Sequence, residues 1–162
     1  MQDNDMIHVV LAVYDPSGTY AQHAGVVMTS IFENTHSSVT VHILHDDTLT
    51  EDNRQKFIRT AEKYHQGLEL VDVTSYRNSI NKKIADTFKD YLTVGALYRL
   101  AIPELLELDK VIYLDCDVIV NLDIRKLWEA GTFTDGRGAQ RNILLRLLRK
   151  ISRNNLVFLI SA

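Results

Sequence analysis

Along the first half of the chain, short apolar runs alternate with longer stretches in which apolar residues recur every three or four positions. In MIHVVLAVYD, residues 7–13 are almost unbroken apolar sequence, rich in β-branched side chains, and they stop at the turn signal DPSG. Such a run predicts a strand covered on both faces. The segment TYAQHAGVVMTSIFENT then places Ala24, Val27, Met28, Ile31 and Phe32 in helical rhythm. A second strand is predicted at residues 39–44 in SVTVHILH, just before Asp46 and Asp47. TLTEDNRQKFIRTAEKYH predicts a second helix, with Thr50 as N-cap and Glu51 and Asp52 in the first turn, where the helix dipole favours negative charge. LELVDV closes a βαβαβ series, the pattern of an α/β fold with a mostly parallel sheet flanked by helices.

Polar and basic residues such as Asn81, Lys82 and Lys83 dilute the pattern over residues 75–90, leaving weak helical periodicity. TVGALYRLAIPELL predicts a helix capped by Thr93 that Pro103 ends or restarts. The run KVIYLDCDVIV, residues 110–120, then sets Asp115 and Asp117 in apolar sequence. A carboxylate desolvated without a partner is costly, so the pattern predicts a strand that ends at Leu114 and delivers both acids to a cleft. Three predicted strands thus end in acids: Asp15, the pair Asp46 and Asp47, and Asp115 with Asp117. In open parallel sheets, ligands bind outside the carboxyl ends of the strands near a topological switch.

In extended backbone, residues i and i+2 project to one side about 6.5 to 7 Å apart. Two carboxylates so placed can share a divalent cation. Hard oxygen ligands suit magnesium or manganese, which keep positions open for phosphate oxygens, and the cation then offsets the charge of a diphosphate. The same aspartates could instead form a turn or cap a helix.

Composition changes this picture little. A chain of 162 residues is one domain or part of a larger one, and 46% apolar with 24% charged residues is ordinary for a globular protein. A single cysteine, Cys116, excludes an internal disulfide and fits a reducing compartment. The first residues lack the features of a secretory signal, and no window of ~20 apolar residues predicts a spanning helix. Cytoplasm is the expected location. Charge is more informative, because residues 1–135 hold all 21 acidic residues against 12 basic ones, whereas residues 136–162 hold six basic residues and no acid. If residues 139–153 are helical, Ile143, Leu144, Leu147, Leu148 and Ile151 fall on one arc and Arg146, Arg149, Lys150 and Arg153 on the other. That face pattern suits either packing on the sheet or peripheral contact with an anionic inner membrane face.

The segments LAVYDPSGTYAQHAGVVMTSIFENT, VHILHDDTLTEDNRQKF, GALYRLAIPELL and DKVIYLDCDVIVNLDIRKLW, in this order and spacing, resemble the amino-terminal half of a bacterial glycosyltransferase family 8 protein of the lipopolysaccharide galactosyl- and glucosyltransferase kind. The resemblance implies a GT-A-type Rossmann-like fold, incomplete at its C-terminus, and a retaining hexosyltransferase. The implied donor is UDP-glucose or UDP-galactose, the acceptor a saccharide or lipid-linked saccharide, and the metal Mn2+ or Mg2+. By this pattern Asp115 and Asp117 bind the metal, while Ala12, Asp15, Tyr20 and Arg99 join them around the donor. No catalytic residue is identified from the sequence. Residues 1–128 read as the nucleotide-sugar-binding part of the domain and residues 129–162 as an atypical basic segment in which none of the later family motifs, including a histidine that completes the metal site, is found. A truncated or frameshifted, inactive chain is therefore one expectation.

Other readings stand beside this one. DCDVIV approaches the Asp-x-Asp-x-Thr-Val pattern of haloacid-dehalogenase-type phosphohydrolases, and a non-catalytic nucleotide-binding remnant is a third reading. Asp15 can start an Asx-turn ahead of Pro16, Tyr20 can be a half-buried helix aromatic, Arg99 can pair with a surface carboxylate, and Cys116 can be a small buried strand residue. His23, His42 and His45 show no His-x3-His spacing that suggests a metal site.

Overall fold

The computed structural model describes residues 6–83, 94–99, 102–130 and 158–161. The predicted α/β series is present: β1 (Ile7–Val13), α1 (Ala21–Asn34), β2 (Val39–His45), α2 (Glu51–Tyr64) and β3 (Gly67–Asp72) follow one another. The Thr50 hydroxyl caps α2 by accepting the Asn53 N–H at 3.3 Å, which satisfies a donor that the helix itself leaves without a partner. The weakly periodic stretch forms α3 (Thr74–Lys83). The helix predicted in TVGALYRLAIPELL is two short helices, α4 (Val94–Tyr98) and α5 (Ile102–Leu105), so Pro103 restarts rather than ends it. Proline suits that first turn because its missing N–H has no intrahelical partner there. Thr93 and the amphipathic segment 139–153 lie outside the described residues.

The strand before the paired aspartates is β4 (Lys110–Tyr113), one residue shorter than predicted, although the Leu114 N–H still donates to the Val10 carbonyl at 3.1 Å. α6 (Arg125–Ala130) follows. β5 (Phe158–Ser161), within the basic segment, pairs antiparallel with β4. The sheet order is β3-β2-β1-β4-β5, and the first four strands are parallel. Strands therefore run outward on one side of β1 and resume on the other, which makes the β1–β4 boundary the topological switch.

β1 explains why its sequence carries no polar alternation. Ile7, Val9, Leu11 and Val13 join one buried cluster with Ala24, Val27, Met28 and Ile31 of α1, whereas Val10 and Ala12 join a second with Leu44, Tyr98, Ile102 and Tyr113. Both faces of the strand are covered, and each large apolar side chain so buried contributes about 1.5–3 kcal/mol. At the β2–β3 edge the register pairs Thr40 with Gly67. A Cβ at position 67 would lie 2.4 Å from Thr40 Oγ1 and 3.2 Å from its Cα, so the two strands approach too closely for any side chain there. Gly67→Ala should cost about 1–3 kcal/mol through overpacking. A fall in the urea midpoint at unchanged slope is expected; an unchanged midpoint would contradict this register.

Candidate functional site

The switch between β1 and β4 opens a cleft of about 460 Å³ lined by Ala12, Tyr14, Tyr20, Arg99, Tyr113, Asp115 and Asp117, together with Pro16, Ser17, Gly95 and Cys116. β4 supplies its floor. Beyond Tyr113 the side chains alternate: Asp115 is partly exposed, Cys116 is buried at 4%, and Asp117 is exposed. The Cys116 thiol donates to the Ala12 carbonyl at 3.3 Å, which pins the turn against β1. Burial, with the charges of Asp115 and Asp117 adding to it, pushes this thiol up to about 12, so it stays protonated and serves as packing.

Arg99 follows α4 and crosses toward β4. Its guanidinium lies 3.9 Å from Asp115 Oδ1 and 5.2 Å from the centre of the Tyr113 ring, a site where charge attraction and a cation–π contact hold it together. Arg99 is 8% exposed, and burial pushes the Tyr113 phenol well above its ordinary value. Tyr20 lines the same cleft and is 39% exposed, with its phenol raised to about 12 by burial and by the neighbouring Cys116 and aspartates. A partly exposed aromatic ring therefore shares the cleft with a cation and two carboxylates.

Asp15 is placed differently. It is 1% exposed, and its carboxylate accepts the Tyr20 N–H at 2.6 Å and the Asn53 side-chain amide at 3.1 Å. Asn53 also donates to the Gly18 carbonyl at 3.0 Å. The turn closes through the Gly18 N–H on the Asp15 carbonyl at 3.0 Å, and Gly18 has φ +72°, a left-handed conformation that glycine adopts without strain. Asp15 thus builds the turn from within, and Tyr14, Pro16, Ser17 and Tyr20 are the residues of this turn that line the cleft.

Asp46 is likewise turned inward. It is 1% exposed and accepts from the Thr48 N–H at 3.0 Å, the Thr48 hydroxyl at 2.5 Å, the Tyr98 hydroxyl at 2.6 Å and the Arg77 guanidinium. Asp47 is exposed and pairs with Arg77 at 2.8 Å. Of the three acid-bearing strand ends, only that of β4 directs its carboxylates into the cleft.

The donor set at β4 suits a hard divalent cation that retains water or phosphate oxygens, since both ligands are carboxylates and both reach solvent. Among the described residues no group of three or more His, Cys, Asp or Glu side chains gathers in a way that could hold a metal ion, so Asp115 and Asp117 are the acids available to it there. The histidines have other surroundings. His42 Nδ1 lies 2.9 Å from Glu69 and its Nε2 lies 3.0 Å from His8 Nδ1, while the His23 ring lies 5.7 Å from that of Tyr20. A second cavity of about 500 Å³, lined by α1 and α2 residues such as Gly25, Thr29, Lys56 and Thr60, contains no acid. No described helix is long and apolar enough to cross a membrane.

Sequence reasoning missed Tyr113, Tyr14 and Gly95 as cleft residues. The first was within reach, because Tyr113 and Asp115 stand two residues apart at the strand end and so share a side. Tyr14 and Gly95 meet only through packing, with a Cβ at 95 falling 3.5 Å from the Tyr14 Cβ.

The family model of glycosyl transferase family 8 matches residues 12–133. General stress protein A of Bacillus subtilis (strain 168) is 28% identical over 136 residues, covering 80% of this chain and 44% of that protein. Among solved structures, the galactosyltransferase LgtC in complex with donor and acceptor sugar analogs superimposes with a TM-score of 0.60 at 22% identity, over 76% of this chain and 42% of that one. The bifunctional glycosyltransferase WbbM gives 0.58 at 20% identity over 78% and 21%. Mouse xyloside xylosyltransferase 1 gives 0.56 at 15% identity over 77% and 48%. These structural likenesses show a shared fold, and the chain spans less than half the length of each of these proteins.

The enclosed Asp46 makes an acid-dependence measurable. Burial of Asp46 works to raise its pKa, but hydrogen bonds from Thr48, Tyr98 and Arg77 outweigh it and hold the carboxyl below the ordinary value. A depressed folded pKa stabilises the fold above the unfolded value of about 4 and loses that stabilisation as pH falls through the folded value. The urea midpoint should therefore decline below about pH 4, and Asp46→Asn should flatten that decline while lowering the midpoint at pH 7. Parallel curves for the two proteins would contradict the assignment.

Proposed function

The chain belongs to glycosyl transferase family 8, and from that premise we propose that it forms the donor-binding part of a retaining hexosyltransferase that takes UDP-glucose or UDP-galactose and delivers the sugar to a saccharide or lipid-linked saccharide acceptor. Lipopolysaccharide assembly at the cytoplasmic face of a membrane is the setting that suits such an acceptor. The observation that carries the reading is the cleft at the β1–β4 switch, where Asp115, Asp117, Arg99 and Tyr20 converge.

Each residue has a role that its surroundings support. Asp115 and Asp117 would hold Mn2+ or Mg2+, and that ion, when bound, supplies positive charge to the donor's diphosphate. Arg99 offers a planar fork of donors for phosphate or sugar oxygens. Its place beside Asp115 keeps it aimed at the same region. Tyr20 presents a ring face on which uracil can stack, with Ala12 leaving room beside it at the end of β1. Asp15 contributes by shaping the turn that carries Tyr20, since its carboxylate already accepts two hydrogen bonds within the chain.

UDP binding measured by titration calorimetry should require manganese and vanish with chelator. Asp117→Asn, which removes a negative ligand while preserving size, should weaken manganese-dependent binding at least about tenfold, or about 1.4 kcal/mol. UDP affinity indifferent to both chelator and substitution would overturn the donor-site assignment.

A further inference from the structure

Asp46 takes no direct part in the proposed donor site, yet it is the most heavily bonded carboxylate near it. Its donors come from three places in the chain: Thr48 beyond β2, Arg77 on α3 and Tyr98 at the end of α4. Thr48 Oγ1, while donating to Asp46, accepts the Asp15 N–H at 2.9 Å. One buried carboxylate is thereby linked to the turn that presents Tyr20 and to the turn that presents Arg99.

The link to Arg99 is the closer of the two. Tyr98 and Arg99 are consecutive residues, but they reach opposite ways across the sheet. Tyr98 meets Asp46 beyond the end of β2, whereas Arg99 meets Tyr113 and Asp115 at the end of β4. β2 and β4 lie on either side of β1, about 10 Å apart at the usual strand spacing. A single turn of chain therefore spans β1, with one side chain gripping each neighbouring strand. Tyr98 is fully buried, and burial together with the Asp46 charge pushes its phenol well above the ordinary value, so it remains a hydrogen-bond donor. Where Tyr98 sits determines where Arg99 begins.

We propose that Asp46 is a positioning residue for donor binding: by accepting the Tyr98 hydroxyl it holds the turn that aims Arg99 at the diphosphate region beside Asp115. The inference rests on the proposed nucleotide-sugar reading of the cleft. It differs from a purely structural role because removal of the hydrogen bond alters affinity only through Arg99.

A double-mutant cycle with Tyr98→Phe and Arg99→Ala tests it, with UDP and manganese as the probe and calorimetry as the readout. Tyr98→Phe should weaken UDP binding about three- to tenfold with the guanidinium present, and should have no further effect in the Arg99→Ala protein. Urea midpoints measured in parallel should fall equally in both backgrounds, separating loss of stability from loss of aim. Equal losses of affinity in both backgrounds, or no loss in either, would overturn the positioning role while leaving the donor site intact. Absence of any UDP binding to the unsubstituted protein would instead overturn the donor reading and the inference with it.

Discussion

A carboxylate withdrawn from water must be met by donors, and at the carboxyl edge of this sheet that requirement organises everything else. Asp15 and Asp46 are each 1% exposed. Left without partners, either would destabilise the fold by several kcal/mol. Instead Asp15 draws in the Tyr20 N–H and the Asn53 amide, and Asp46 draws in Thr48, Arg77 and Tyr98. These bonds tie the loops after β1 and β2 to each other and to α3 and α4. The cleft walls are loops, and loops acquire fixed positions from such buried polar networks more than from apolar contact.

Against that scaffold the third acidic strand end behaves differently. β4 lies on the other side of β1 from β2, and there Asp115 and Asp117 remain accessible, with Arg99 beside the first. Neighbouring carboxylates repel one another when both are ionised. A divalent cation relieves that repulsion and adds a site for phosphate oxygens. Topology thus separates the two uses of acidity: on the β1–β2 side the carboxylates hold the walls, and on the β4 side they face the ligand space.

Much of this was legible along the chain. Apolar runs and helical periodicity located β1, β2, β3 and the first two helices to within a few residues, and Thr50 announced the start of α2, because these elements follow from local pattern. The β4 acids stood out for the same reason, being charges in an apolar run. The inward direction of Asp15 and Asp46 was not legible. Their main partners, Asn53 for one and Arg77 and Tyr98 for the other, are 38, 31 and 52 residues distant in sequence, and no local periodicity reports which of several strand-end acids a fold will enclose. α3 was indistinct because its polar composition gives little amphipathic contrast. β5 could not be anticipated, since its place in the sheet depends on a long-range antiparallel pairing with β4.

The division between enclosed and ligand-facing acids can be observed residue by residue through carbon-13 resonances of the aspartate carboxyl groups during titration with magnesium and UDP. Asp115 and Asp117 should shift together as the complex forms, while Asp15 and Asp46 hold their free-protein positions. Shifts centred on Asp46 and Asp47, with the β4 pair unmoved, would contradict the account.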